Sequence, residues 1–173
     1  TESNKRLTRG DKEKKVVLVF DLFNTHGAAE LGKRLAIKLR KGTDHSTIYA
    51  EYPFRGTLSS EFDLSNIKSD VYQHTSGLDI LLEKDSSEFS QNAKLALMVD
   101  NLLNGYENLI IYLNKDFQED LAQVIEHVDQ IIVVGSSHKS HWKAISNLHK
   151  SIKSSVKGNN TKIFTILTNN DEK

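Results

Sequence analysis

Two short polar segments carry the side chains best suited to chemistry. The first, residues 21–27, reads Asp-Leu-Phe-Asn-Thr-His-Gly and follows a run of five apolar residues. Asp21 is its best carboxylate, and an enzyme using Asp21 and His26 would be a small phosphotransferase or hydrolase. The alternative is a tight turn from a strand into a helix, since the segment has one glycine. Its candidate ligand-binding residues are Asn24, Thr25, His26 and Gly27.

The second segment, residues 136–141, reads Ser-Ser-His-Lys-Ser-His. Ser136 and Ser137 are candidate ligands of a small anion if a helix starts here, because the N–H groups of a first helical turn attract anions. Either serine is also fully explained as a helix N-cap. His138 and His141 have no carboxylate partner within the segment, and the chain has no cysteine, so we predict no metal site, no cofactor and no catalytic residue.

Strands and helices alternate along the chain. Apolar runs such as Val16–Phe20 (VVLVF) show no alternation with polar residues, which is typical of strands buried on both faces of a parallel sheet. The sequence therefore predicts an α/β fold, a doubly wound, mainly parallel sheet of about six strands with helices on both faces. The predicted strands are residues 16–20, 46–52, 78–82, 108–113, 130–134 and 162–168. The predicted helices are residues 28–41, 86–104, 116–127 and one opened by Gly135-Ser136-Ser137, with Leu97 and Trp142 assigned to buried helix faces.

The length of 173 residues suits one domain with a full core. We expect a flexible arm or linker at residues 1–14, a single α/β domain at residues 15–170 and a tail at residues 171–173. The apolar runs are far shorter than the roughly 20 residues that span a bilayer, and no signal peptide precedes them. The sequence thus predicts a cytoplasmic chain without a membrane span, and the polar start at Thr1 suggests a segment of a larger protein.

The net charge is zero, but the charges are segregated along the chain. Residues 1–60 carry 12 positive and 7 negative side chains, residues 61–129 carry 4 and 14, and residues 130–170 carry 6 and none. Arginine is absent after Arg55 and no aromatic residues are interleaved with the late lysines, so nucleic acid is not a predicted partner. The segregation predicts a dipolar surface that docks other domains of the parent protein or a second copy in a homodimer.

Residues 19–36 (VFDLFNTHGAAELGKRLA) resemble the first strand, P-loop and helix of the MinD/ParA-type (SIMIBI) ATPases, in which a strand precedes KGGxGKTT and a helix ending in NLA. Gly27 falls on the last glycine of that loop. The family's loop lysine supplies charge to the β- and γ-phosphates, and the hydroxyl after it ligates magnesium. In this chain the two lysines are replaced by Phe23 and Ala28, and the two threonines by Ala29 and Glu30.

The resemblance extends through residues 15–170. Tyr112 stands where the family has a metal-positioning aspartate, and Asn114 where it has a proline. The architectural parts persist in Gly77–Leu81 (family GLDVL), Val128–Val134 (family ADxhhhV) and Ile166–Asn169, the last resembling the strand that ends in the base-reading asparagine. The resemblance thus implies a degenerate P-loop NTPase-like domain, a pseudo-ATPase with a regulatory or interaction role.

A second resemblance competes for the same residues. Gly27–Ala36 and Val128–Val134 fit about equally well the sheet domain between the cyclic-nucleotide-binding and patatin domains of neuropathy-target-esterase-type phospholipases. That resemblance implies a linker domain of a patatin-like phospholipase. The lipase motif GxSxG does not occur in the chain. A small module that binds an anionic ligand or a nucleotide is a further alternative.

Overall fold

The computed structural model describes residues 14–23, 27–52, 71–81, 95–115, 121–122, 124–155 and 160–168. Three α-helices are described, and none is long and apolar enough to cross a membrane. They are α1 (Ala28–Gly42), α2 (Leu95–Gly105) and α3 (Trp142–Ser155), with 3-10 turns at Ile125–His127 and Lys139–His141. The strands are β1 (Lys15–Asp21), β2 (Thr47–Tyr52), β3 (Val71–Gln73), β4 (Asp79–Leu81), β5 (Asn108–Asn114), β6 (Gln130–Ser136) and β7 (Lys162–Thr168).

The strands form one sheet in the order β3-β4-β2-β5-β1-β6-β7. All neighbouring pairs are parallel except β3 with β4, which is antiparallel. This confirms the predicted mainly parallel α/β fold. The sequence did not predict β3, because a three-residue strand in a polar stretch leaves no readable alternation.

β1 lies in the interior of the sheet, between β5 and β6. Val16, Leu18 and Phe20 belong to the core on the face that packs against α2 and α3, while Val17 and Val19 belong to the core beneath α1. All five are buried. Because both faces of β1 are covered, the strand needs an unbroken apolar run, as the sequence predicts.

The start of α3 differs from the prediction. Gly135 and Ser136 belong to β6, whose pairing with β7 continues to Ser136 and Thr168, and α3 begins only at Trp142. Trp142 is 57% exposed, and its Nε1 donates a hydrogen bond to the Ser137 carbonyl at 3.3 Å. The prediction of a buried Trp142 is therefore wrong, because the first residue of the helix lies beyond the part of α3 that packs on the sheet.

The other predicted core positions have mixed outcomes. Leu148 and Ile152 of α3 are buried, as predicted. Leu97 of α2 is 54% exposed, so its assignment to the buried helix face is wrong. Residues 1–13 and 169–173 lie outside the described residues, so the predicted arm and tail stay predictions.

α1 begins after a glycine with a left-handed backbone. Gly27 has φ 104° and ψ −10°, and its carbonyl accepts the hydrogen bond of the Leu31 N–H at 2.8 Å. A Cβ added at Gly27 would meet no atom within 4 Å. Glycine is therefore required here by the backbone conformation and not by space, because an L side chain is strained at this φ.

We expect Gly27→Ala to lower the free energy of unfolding by about 1 kcal/mol, the usual cost of a non-glycine residue in the left-handed region. Gly42→Ala is the matched control. Gly42 also has open space around its Cα but no positive φ, and it lies within α1, so alanine there should be neutral or stabilising by up to about 1 kcal/mol. Urea unfolding of both variants measures the two changes in the free energy of unfolding. Equal changes would contradict the conclusion that the positive φ of Gly27 requires glycine.

Candidate functional site

The predicted site lies at the carboxyl edge of the central strands. Asp21 ends β1 and pairs in register with Asn114 of β5 on one side and with Val134 of β6 on the other. Gly27 lies at the start of α1 above this edge. Asn24, Thr25 and His26 lie outside the described residues, so their predicted role in holding a ligand stays a prediction. In open α/β sheets this edge is where ligands bind.

The carboxylate of Asp21 is turned into the protein. Asp21 is 0% exposed. Its Oδ1 accepts a hydrogen bond from the Phe23 N–H at 3.2 Å, and its Oδ2 accepts one from the Tyr112 hydroxyl at 3.2 Å. The two side chains with the most obvious chemistry at this edge are thus bound to each other, and Asp21 has no exposed oxygen to offer a substrate.

A second buried acid lies on the same side of the sheet. Glu51 of β2 is 4% exposed, and the Tyr49 hydroxyl lies 3.1 Å from its Oε1 and 3.0 Å from the Ala29 carbonyl of α1. Burial, together with the charge of Glu51, raises the pKa of Tyr49 well above the usual tyrosine value. A Cβ at Gly32 would lie 3.0 Å from the Tyr49 ring, so this glycine lets α1 rest directly on the tyrosine.

The first turn of α1 carries a negative side chain. Glu30 pairs with Lys33 at 3.0 Å and with Arg34 at 2.7 Å, and these hydrogen bonds lower its pKa. Lys33 is only 6% exposed. Glu30 therefore holds the nearest cations of the helix and places its own charge at the helix end that attracts anions.

A magnesium nucleotide does not fit the residues described at this edge. Ala28, at the position that the resemblance gives to the phosphate-binding lysine, is an apolar side chain 1% exposed. Tyr112, at the position of the metal-positioning aspartate, donates to Asp21 and is not a carboxylate ligand. Glu30 adds like charge where the phosphates would lie. Among the described residues no group of three His, Asp or Glu side chains could hold a metal ion.

The serines predicted to bind an anion take part in internal hydrogen bonds. The Ser136 Oγ accepts the His138 N–H at 3.2 Å, and the Ser137 N–H donates to the Thr168 carbonyl at 3.1 Å as the ladder between β6 and β7 ends. Ser136 is 6% exposed, whereas Ser137 is exposed. The N-cap position of the 3-10 turn is His138 and not a serine. Anion binding by Ser136 and Ser137 stays a prediction.

An aromatic stack joins the two loops of the site. The rings of Phe23 and His141 are 3.9 Å apart between centroids and 16° from parallel. The His141 Nδ1 is buried and has no hydrogen-bond partner among the described residues, and the His138 ring lies 5.6 Å from the His141 ring. Sequence reasoning missed this stack because its partners are far apart in the chain. Gly135 leaves room beside the stack, because a Cβ there would lie 2.9 Å from Ile145 Cδ1 and 3.6 Å from the Phe23 ring.

Comparison with known proteins supports the fold. No family model matches the sequence, and no curated protein matches it either. Solved structures do match. A ParA family ATPase from Chlorobium tepidum has 17% identity and a TM-score of 0.67, covering 94% of this chain and 76% of that one. A plasmid partition protein from Borrelia burgdorferi has 14% identity and a TM-score of 0.69, covering 94% and 81%.

The kinase domain of VpsO is a third match, with 17% identity, a TM-score of 0.66 and coverage of 91% of this chain and 87% of that one. The chain has the P-loop NTPase-like fold of the ParA-type ATPases. At these identities the likeness concerns the fold alone. Whether the protein has an enzymatic activity therefore depends on its own residues at the carboxyl edge of the sheet.

We expect Tyr49→Phe to lower the free energy of unfolding by about 1–2 kcal/mol near neutral pH, because the hydroxyl no longer satisfies the Ala29 carbonyl and the buried Glu51. The pKa of Tyr49 is raised on folding, so its contribution is present below the ordinary tyrosine value of 10.0 and is lost as the pH rises above it. Wild type and variant should therefore converge in stability at alkaline pH.

Urea unfolding across this pH range measures the effect. Tyr106→Phe is the comparison variant, since the Tyr106 hydroxyl donates to Asp79 Oδ2 at 3.0 Å and its pKa is raised to about 12, but the residue is only half-buried. Its substitution should cost less near neutral pH. A Tyr49→Phe variant as stable as the wild type would contradict the role assigned to the hydroxyl.

Proposed function

We propose that the chain is a non-catalytic, P-loop-like regulatory or interaction domain of a larger protein, in which nucleotide hydrolysis has been lost. The observation that carries this proposal is the pairing of Asp21 with Tyr112 at the carboxyl edge. The pair fills, with an internal hydrogen bond, the place where an ATPase of this fold needs a carboxylate free for metal. Residues 15–170 would form the single domain.

Electrostatics at the head of α1 support the same conclusion. Phosphate binding at a helix N-terminus depends on N–H groups, the helix dipole and, in P-loop proteins, a lysine. Ala28 stands at the position that the resemblance gives to the lysine, and Glu30 lies within the first turn of α1. Two further acids, Asp21 and Glu51, are buried beneath the same helix face. A triphosphate would meet the Glu30 carboxylate, with two buried acids behind it, where the fold usually supplies positive charge.

An interaction role is supported by the basic helices. Lys143, Lys150 and Lys153 of α3 are exposed, as are Lys38 and Lys41 of α1. No acidic residue lies between residues 130 and 170. Such surfaces favour encounter with an acidic surface. The partners we propose are the other domains of the parent protein or a second copy of the chain.

We expect no thermal stabilisation by Mg-ATP and no magnesium-dependent ATP hydrolysis. A nucleotide with a Kd of about 10 µM would stabilise the native state by about 2.7 kcal/mol at about 1 mM. In a domain of this size that corresponds to a rise in Tm of roughly 5–10 °C. Thermal unfolding with Mg-ATP, Mg-ADP and Mg²⁺ alone measures the shift.

A ParA-type ATPase run in parallel serves as the positive control. A rise in Tm that requires both magnesium and nucleotide would contradict the proposal. A rise with nucleotide but without hydrolysis would favour the alternative of a nucleotide-binding module. Release of phosphate above the buffer blank would show that the site hydrolyses nucleotide and would contradict the proposal.

A further inference from the structure

β7 forms one edge of the sheet. It pairs with β6 through seven residue pairs, from Lys162 with Gln130 to Thr168 with Ser136, and no other described strand pairs with it. Three of its large apolar side chains are exposed to solvent. They are Phe164 (48%), Ile166 (38%) and Leu167 (41%).

This edge lacks the features that usually protect edge strands from pairing with another chain. Such strands are short, bulged, interrupted by proline or rich in charge. β7 has seven residues in unbroken register, no proline, and a single charged residue, Lys162, at its first position. The opposite edge strand, β3, has three residues. β7 is therefore a long, apolar edge strand, and no strand among the described residues pairs with its outer side.

Hydrogen bonds at both ends of β7 fix which residues point outward. The Lys162 N–H donates to the Asp129 carbonyl at 2.9 Å, and the Thr168 carbonyl accepts the Ser137 N–H at 3.1 Å. In a parallel ladder alternate residues bond to the same neighbour, so residues 162, 164, 166 and 168 face β6. The backbone N–H and C=O groups of Ile163, Thr165 and Leu167 therefore point away from the sheet.

We propose that β7 pairs with β7 of a second copy, antiparallel and about a two-fold axis at Thr165. Thr165 then faces its own copy, and Ile163 faces Leu167. These are the residues with outward backbone groups, so each pair exchanges two N–H···O=C hydrogen bonds. Phe164 faces Ile166 in the intervening pairs, where cross-strand side chains approach most closely.

The sequence of β7 is self-complementary in this register. Its apolar residues are placed symmetrically about Thr165, with Ile163 and Phe164 before it and Ile166 and Leu167 after it. Lys162 faces Thr168 and not a second lysine. This is the antiparallel register that pairs all seven residues, and it satisfies the self-complementarity that a two-fold interface requires. A second copy is therefore the partner that matches the strand.

The basic surface of α3 limits the strength of this pairing. His149 of α3 lies over the centre of β7, with its Nε2 2.6 Å from the Thr165 Oγ1. A two-fold axis perpendicular to the sheet places both copies of α3 on the same face, so the exposed Lys150 and Lys153 of each copy add repulsion. Added salt screens this repulsion, so association should be as strong or stronger at higher salt.

This inference rests on the proposed role as an interaction domain, but it is tested separately from the loss of nucleotide binding. Sedimentation equilibrium of the 173-residue chain between about 5 and about 200 µM covers the range expected for a small interface. We expect the weight-average mass to rise from near 19.6 kDa toward twice that value. The Mg-ATP experiment can succeed or fail independently of this result.

Thr165→Pro is the most direct variant. Its lost N–H points outward, so the ladder with β6 keeps its hydrogen bonds, and proline is tolerated at such edge positions. Ile166→Lys places a charge at the cross-strand pair with Phe164 and keeps the contact between Thr165 and His149. Both variants should remain monomeric throughout the range. Leu97→Lys is the matched control, because Leu97 is an apolar residue on α2 that is even more exposed than Ile166, and the variant should associate as the wild type does.

Circular dichroism and thermal unfolding establish that each variant is folded. A wild-type chain that stays monomeric up to about 200 µM overturns the proposal, as does an association that Thr165→Pro and Ile166→Lys both leave intact. Loss of association in Leu97→Lys, or an association that weakens as salt rises from about 0.1 to about 0.5 M, would place the interface elsewhere and would also overturn it.

Discussion

The burial of β1 on both faces is the constraint on which the rest of the structure depends. Val16 to Phe20 are at most 1% exposed, and each such side chain contributes roughly 1.5–3 kcal/mol through burial. The neighbours of β1 are parallel, and the helices that connect parallel strands cover both faces of the sheet. Asp129 fixes the start of the strand, because its Oδ2 accepts the Val16 N–H at 2.7 Å while its carbonyl accepts the Lys162 N–H. One residue thus aligns β1, β6 and β7.

The same constraint determines what the carboxyl edge can contain. A parallel arrangement of β5, β1 and β6 brings the ends of all three strands together, and the polar residues there are buried with them. A buried carboxylate must be hydrogen-bonded, since an unsatisfied one would cost several kcal/mol. Tyr112 and the Phe23 N–H meet this need for Asp21. A side chain held in this way stabilises the edge, and neither of its oxygens reaches the solvent.

Most strands of this fold can be predicted from the sequence, but the contacts within the site cannot. The limits of β7 match the prediction because an apolar run bounded by polar residues marks a strand clearly. Helix periodicity correctly predicts that Leu148 and Ile152 are buried. It does not show where a helix begins to contact the sheet, so the prediction of a buried Trp142 is wrong. The positions of Asp21 and Gly27 follow from strand order. The Asp21–Tyr112 bond joins residues 91 apart, which no local pattern can reveal.

The two basic helices of the chain lie on different faces of the folded sheet. Ala28 and Ala36 of α1 pack in one core, and Leu148 and Ile152 of α3 pack in the core on the other face of the sheet. The lysines of the two helices therefore lie on opposite sides of the sheet. The predicted dipolar surface stays a prediction. Each of these basic surfaces covers a different face of the sheet, and α3 overlies the edge at β7, where His149 contacts Thr165. Electrostatics at that edge oppose pairing between copies, so any stable association there must come from backbone hydrogen bonds and apolar contact.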